Sequence, residues 1–367
     1  MNTQIQDEFT FKNGQTMRNR VVLAPMTICA SEPGGYVSQA DIDFFARRSR
    51  SVGMVITGST YVHPLGKSFT ESFSGAEDDK IEGLSRLAKA IKDQGALAIV
   101  QLYHGGRMVL PDLIDGQPVA PSAVKAPRDY LAEPRALKNA EVEQVIEDFL
   151  SAIRRAIQAG FDGVELHGAN TYLIQQFVSP HSNVRQDKWG GSLNNRLRFP
   201  KTLLKRAKQL VKEEADRPFL IGYRFSPEEI EEPGIQLYDT LQLLEQLIYH
   251  QVDYLHISTS DVWRSSIRDS QDSEPVIQKI IKKINGRVPL IGVGQIETKQ
   301  DAQRVLDAGI PLFALGKALL LDPDWAEKVV SGREAEVIRA YRDELQADLA
   351  LPTAFVEDAR SYLEGKD

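Results

Sequence analysis

The stretch from Val288 to Lys317, VPLIGVGQIETKQDAQRVLDAGIPLFALGK, decides the fold. It opens on a short apolar run, Val288–Ile291, that breaks at Gly292-Val293-Gly294. A helical pattern over Thr298–Ala308 follows and stops at Gly309. A second apolar run, Leu312–Leu315, then ends on Gly316-Lys317. Apolar runs without clean alternation are what parallel strands buried on both faces require. Glycine directly after the last periodic residue is where a left-handed helix terminus costs least.

The same strand–helix pattern recurs upstream. Further apolar runs lie at Val21–Ala24, Met54–Thr57, Leu97–Gln101, Gly163–Leu166, Phe219–Arg224 and Asp253–Ile257, which makes eight predicted strands. Helical spacing is clear over Asp79–Gln94, Asn139–Ala159 and Asp239–Gln251, the first two stopping at Gly95 and Gly160. Eight strand–helix units with short returns predict an α/β fold, a closed (β/α)8 TIM barrel rather than a doubly wound sheet. Two segments depart from the repeat. Asn13-Gly14 between short extended runs in Phe9–Thr16 signals a β-hairpin, expected to cap the bottom of the barrel. The polar stretch Gly168–Phe199 after the fourth strand is long, and barrel sites are built from such loops. One domain is expected over residues 1–367, with a core of about 18–330 and a helical tail after it, about 331–367.

Composition narrows the partners. The chain has 367 residues, 42% hydrophobic and 26% charged, with a formal net charge of −7. That charge argues against nucleic acid or an anionic membrane as partner. Cys29 is the one cysteine, so no internal disulfide, iron–sulfur cluster or cysteine-based zinc site can form. No metal site is expected. The polar, acidic start and the lack of a long apolar run predict a cytoplasmic protein without signal peptide or membrane span.

Chemistry is expected just after the strands. His167-Gly168-Ala169-Asn170-Thr171-Tyr172 follows the fourth strand. His167 and Asn170, three apart, are read as neighbours on one face of a helical turn. They offer two donors for a carbonyl or phenolate oxygen, and Tyr172 offers a proton. For an arbitrary histidine, burial with backbone partners is the commoner arrangement; a strand end in a barrel favours function. After the seventh and eighth strands, Gly292-Val293-Gly294 and Gly316-Lys317 suit a phosphate site of backbone amides and a nearby helix N-terminus. The third glycine of a dinucleotide fingerprint is missing.

Ala24-Pro25-Met26-Thr27, Gln101-Leu102-Tyr103-His104-Gly105-Gly106-Arg107 and the His167, Asn170, Tyr172 set occur in this order. Gln176-Phe177, Ser179-Pro180, Ser182-Asn183, Arg185, Asp187, Gly190-Gly191-Ser192, Asn195-Arg196 and Arg198-Phe199 continue it. The ordered set resembles the old yellow enzyme family over essentially the whole chain. The resemblance implies FMN as cofactor, NADH or NADPH as reductant, and reduction of activated C=C bonds of enones or related small-molecule electrophiles. It implies that His167, Asn170 and Tyr172 are catalytic. It places Pro25, Met26, Thr27, Ser59, Gln101, His167 and Arg224 around the flavin, with Gly294, Gly316 and Lys317 at its phosphate. Thr27 would donate beside flavin N5, Gln101 would bond the pyrimidine edge, and Arg224 would put positive charge near N1. An ion pair of Arg224 with Glu228–Glu232 is the competing arrangement. The family more often has Arg at the position of Lys317, which lacks the planar fork.

Thr27 stands where one bacterial branch has Cys, and His167 pairs with Asn170 rather than a second His. The cluster-binding cysteines and appended nucleotide-binding domains of larger relatives are missing, so a freely diffusing nicotinamide is expected. Cys29 is expected to be a packing residue near the site. Tyr103 and Trp263 are expected to line the pocket. The C-terminal helix offers an interface for a homo-oligomer, as relatives are often dimers or tetramers. Two alternatives remain: an aldolase or isomerase on the same barrel, and a flavin-binding protein without catalysis.

Overall fold

The structure, a computed structural model, describes residues 3–364; Met1, Asn2 and the last three residues of the expected tail lie outside them. Eight parallel strands close a barrel: β1 (Val21–Leu23), β2 (Met54–Tyr61), β3 (Leu97–Tyr103), β4 (Gly163–Gly168), β5 (Leu220–Phe225), β6 (Tyr254–Ile257), β7 (Leu290–Val293) and β8 (Leu312–Leu315). Each hydrogen-bonds its chain neighbour, and β8 returns to β1 through Phe313 opposite Val21 and Leu315 opposite Leu23. Every predicted run is a strand. β2 extends beyond its apolar part, through Gly58-Ser59-Thr60-Tyr61, because Ser59 and Tyr61 pair with Gln101 and Tyr103 after a register shift. Backbone pairing across the barrel, rather than side-chain pattern, carries that extension.

The helices expected from periodicity are α2 (Ile81–Lys92), α3 (Asn139–Gln158), α5 (Leu237–Tyr249) and α7 (Lys299–Asp307), within two residues of the expected limits. α1 (Gln39–Ser49), α4 (Arg198–Glu214) and α6 (Val276–Ile284) complete the ring. Gly95, Gly160 and Gly309 have φ of +84°, +85° and +86°, the left-handed stop their positions called for. α3 buries Val142, Val145, Ile146, Phe149, Ile153 and Ile157 against the strands. Each such side chain contributes about 1.5–3 kcal/mol on leaving water. Among the described residues no helix is long and apolar enough to cross a membrane.

The hairpin pairs Phe9–Thr10 with Thr16–Met17. Phe11 and Met17 pack on Val22, Met54, Ile56, Ile99, Leu220, Tyr254, Ile291 and Leu312, the inward residues of the barrel floor, so the hairpin plugs the N-terminal end. Above that apolar floor the barrel turns polar: Gln101, Glu165, His167, Arg224 and His256 all point inward and are buried. After β8 come α8 (Lys317–Leu321), α9 (Trp325–Val330) and α10 (Thr353–Glu364). The expected helical tail is therefore helical only at its end. Residues 331–352 run mostly as turns with two short 3-10 segments, and Leu349 and Leu351 are buried against the core.

Candidate cofactor and substrate site

Register assembles the polar layer at the mouth. Gln101 on β3 stands opposite Glu165 on β4, and Glu165 stands opposite Gly222 on β5. Arg224, two residues on, stands opposite both His167 and His256. Gly222 has no side chain because the ring of Tyr254 fills its space; a Cβ there would lie 2.0 Å from that ring. Gln101 Nε2 donates to Glu165 Oε1 at 2.7 Å, and His256 Nδ1 donates to Glu165 Oε2 at 2.9 Å. Ser59 Oγ donates to Gln101 Oε1 at 3.1 Å. The Ser59 amide donates to Thr27 Oγ1 at 3.1 Å, so the Thr27 hydroxyl proton is left for another acceptor. Burial alone would raise Glu165, but His256, Arg224 and Gln101 outweigh it and hold the carboxyl below its usual range. Burial keeps His256 toward the neutral form, with Glu165 opposing only in part.

His167 is the last residue but one of β4 and is 2% exposed. Its Nδ1 accepts from the Ala169 amide at 3.4 Å, which places the ring proton on Nε2. Burial, Arg224 and His256 push its pKa well below the ordinary value, so it is a neutral donor. The expected helical turn between His167 and Asn170 is absent. Asn170 and Thr171 have φ of +55° and +63°, and a helix begins only at Leu173. This left-handed exit turns Asn170 out to the mouth, where its Oδ1 accepts from Ser258 Oγ at 2.8 Å. The amide nitrogen remains as donor. The Tyr172 ring meets His167 edge-on at 4.9 Å and Tyr103 at 5.2 Å. Burial raises the Tyr172 phenol, which therefore stays protonated.

Tyr103 is fully buried, and its oxygen accepts from the Ser68 amide at 2.9 Å, so it backs Tyr172 rather than lining an open pocket. Trp263 lies under the Arg304 guanidinium at 4.4 Å, held toward α7. Cys29 sits at φ +46° in the loop after β1, its thiol raised mainly by burial, with Thr70 in hydrogen-bond contact.

Arg224 is 9% exposed, and its Nε has no partner among the described residues. The competing arrangement does not form. Glu228 accepts from Ser266 and the Ile267 amide, Glu229 from Gln175 and the Ile235 amide, and Glu232 pairs with Arg268. Toward β7 and β8 a cavity of about 660 Å³ is lined by Thr259, Gly294, Gln295, Gly316, Lys317 and Tyr362, among others. Gly294 has φ +111°, and a Cβ there would sit 2.8 Å from Ser260 and Asp261 backbone. The α7 N-terminus is spent within the chain: the Lys299 amide donates to Glu334 Oε1 and the Asp301 amide to Thr298 Oγ1. That removes α7 from the expected phosphate site and leaves the loops at Gly294 and Gly316-Lys317. Lys317 Nζ lies 5.1 Å over the Tyr362 ring of α10. Met26 bridges the two halves, with its sulfur 3.8 Å from a Cβ built on Gly316 and its carbonyl 2.5 Å from one built on Gly58. A second cavity, about 400 Å³, lies at the opposite face beside Phe9–Lys12 and away from all these groups.

Glu165 and His256 were not among the expected site residues. A signal existed: each is a charged or titratable residue inside an otherwise apolar strand, and Glu165 shares a face with His167 two residues on.

A buried arginine whose Nε has no partner among the described residues, a polar layer and a glycine-cradled cavity meet at one barrel mouth, an arrangement suited to a phosphate-bearing cofactor. The chain belongs to the NADH:flavin oxidoreductase / NADH oxidase family, whose model matches residues 7–336. NADH:fumarate oxidoreductase of Klebsiella pneumoniae (strain 342) is 47% identical over 340 residues, 92% of this chain and 37% of that protein. NADH:acrylate oxidoreductase of Vibrio harveyi is 44% identical over 359 residues, 96% of this chain and 36% of that protein. The chain thus spans little more than a third of the length of these curated relatives. An old yellow enzyme homologue from Zymomonas mobilis superposes with a TM-score of 0.79 at 26% identity, covering 90% of this chain and 93% of that one. The old yellow enzyme resemblance and the barrel fold are borne out, with FMN as cofactor. The aldolase or isomerase alternative falls with them, and no barrel strand carries a lysine for a Schiff base. The residues fit FMN: Arg224 has an unused donor, and the glycine loops leave room for a phosphate.

Proposed function

We propose that the chain oxidises NADH, or NADPH, and reduces an activated C=C bond through FMN held at this mouth. The observation that carries the reading is the neutral His167, its Nε2–H free to donate, beside the protonated Tyr172 and an Arg224 whose Nε has no hydrogen-bond partner among the described residues. When bound, FMN would supply the hydride chemistry that links the nicotinamide to the acceptor's β-carbon. His167 Nε2 and the Asn170 amide hold the acceptor's carbonyl oxygen, and their bonds strengthen as negative charge gathers there. Tyr172 gives its phenolic proton to the α-carbon. Arg224 supplies fixed charge at the pyrimidine end, with Gln101, Ser59, Thr27, Met26 and Pro25 beside it. Gly294, Gly316 and Lys317 hold the phosphate. Among the described residues no cluster of three or more histidine, cysteine or carboxylate side chains could hold a metal ion.

The names of the similar relatives point to NADH as reductant and to unsaturated carboxylates as acceptors. The free thiol of Cys29 suits a reducing, cytoplasmic setting. The test is steady-state NADH oxidation by the FMN-loaded chain with cyclohexenone, acrylate and fumarate. A paired spectrum of phenol binding follows the oxygen site. Replacing His167 and Asn170 together is expected to remove the long-wavelength band that a bound phenol forms with oxidised flavin. A colourless chain after FMN reconstitution, or a band that survives the double replacement, overturns the reading.

A further inference from the structure

The buried pair Glu165 and His256 has no part in the chemistry above. Both side chains are 0% exposed. They lie 91 residues apart in sequence, on β4 and β6, on either side of β5, where Glu165 stands opposite the side-chain-free Gly222 and His256 opposite Arg224. The hydrogen bonds around them have one direction. Ser59 donates to the Gln101 oxygen, the Gln101 nitrogen donates to Glu165, and His256 donates to Glu165 from the other side. A carboxylate can only accept, so both donors must turn toward it. His256 Nδ1 is thereby committed as donor, and Nε2 is left as an acceptor without a partner among the described residues.

An amide side chain is ambiguous in a way that a carboxylate is not. Turned by 180°, Gln101 would present nitrogen where it now presents oxygen. Ser59 cannot prevent this, since a hydroxyl donates or accepts equally well. Only Glu165 breaks the symmetry. We infer that Glu165, held by His256, is a positioning residue that locks the Gln101 amide with its oxygen toward the ligand, so that the site selects a ring presenting an imide N–H there. This rests on the flavin reading of the mouth. The selected group is then the pyrimidine imide of FMN, and a ring alkylated at that nitrogen should be rejected.

The probes are FMN and 3-methyl-FMN, with affinity read by quenching of flavin fluorescence in the full chain. The wild type is expected to bind 3-methyl-FMN at least about tenfold more weakly than FMN, the ratio set by one buried hydrogen-bond mismatch. Glu165→Gln can donate as well as accept, and the ratio should fall to within about twofold. Glu165→Leu with His256→Leu removes the pair outright. Apolar replacement of a buried pair is often neutral for stability, so this variant guards against misfolding, and it too should lose the preference. His256→Asn, which keeps a donor for Glu165, should retain more of the ratio than His256→Leu. A purely structural role would lower both affinities together and leave their ratio unchanged. Variants without Glu165 that still discriminate as the wild type does, or a wild type that binds the two rings equally, overturn the inference. A chain that binds neither ring overturns instead the function on which it rests.

Discussion

His167 and Tyr172 lie with ring centroids 4.9 Å apart, and burial pushes their pKa values in opposite directions. The same desolvation that strips the proton from imidazolium keeps the proton on the phenol, because it disfavours whichever form is charged. One donor and one acid result from a single environment. Tyr172→Phe should leave flavin reduction by NADH within about twofold and slow the alkene half-reaction by about 10²–10⁴. Rapid-mixing absorbance of the two half-reactions measures this, and an equal loss in both removes the acid assignment. Nothing in the residue types alone distinguished Tyr172, beside His167, from Tyr103, beneath it. Their different roles follow from Tyr103 spending its oxygen on the Ser68 amide.

The loops after β7 and β8 work because of backbone shape. Gly294→Ala meets both an unfavourable φ of +111° and backbone 2.8 Å away, so FMN affinity should fall by about tenfold or more. Equilibrium dialysis against FMN checks it, and unchanged affinity would show that this loop does not cradle the phosphate. α10 reaches the same cavity from the far end of the chain: Phe355 packs near Phe44 at 6.4 Å, and Tyr362 lies under Lys317. Tyr362→Ala should therefore raise the rate of FMN release by about two- to fivefold, the equivalent of losing about 0.5–1 kcal/mol of exposed cation–π contact. Release into excess riboflavin-binding protein reads the rate. The segment 168–199 is less a loop than a clasp. Asn183 Nδ2 donates to the Phe177 and Trp189 carbonyls, and the Arg185 guanidinium donates to Pro121, Leu137 and Asp187. Of its motif residues, Gln176 holds the turn that carries Tyr172, its Nε2 donating to the Thr171 carbonyl, which motif spacing does not reveal.

Across the molecule the barrel is closed at one end by the hairpin and at the other by the polar layer. Phe11, 4% exposed, fills the floor, and Phe11→Ala should cost about 3–5 kcal/mol, seen as a lower urea midpoint. Titration should also act globally. Burial, with His63 nearby, pushes His104 down to about 3, and His167 and His256 are lowered as well. Between these native values and the unfolded value near 6.5, the unfolded chain binds protons that the native one does not. Stability should thus be flat above about pH 7 and fall below about 6.5, by up to about 1.4 kcal/mol per pH unit for each such histidine. Urea unfolding at pH 7.5 and 5.5 tests the sign. An unchanged or higher midpoint at pH 5.5 would mean that these imidazoles are protonated in the native state.

The order of eight apolar runs, the three glycine-stopped helices and the hairpin were legible along the chain because each is a local property, set by side-chain period and by where a backbone can turn left. The residues around the mouth were legible as far as their positions at strand ends, His167, Arg224, Gly294 and Lys317 among them. What the local signals left open were pairings over distance. Gln101 meets Glu165 across 64 residues and Glu165 meets His256 across 91, and Glu334, 35 residues on, takes the Lys299 amide of the helix that would otherwise have offered it to a phosphate. Periodicity tells which way a side chain points from its own strand; which partner waits there depends on barrel register, and register exists only once the sheet has closed.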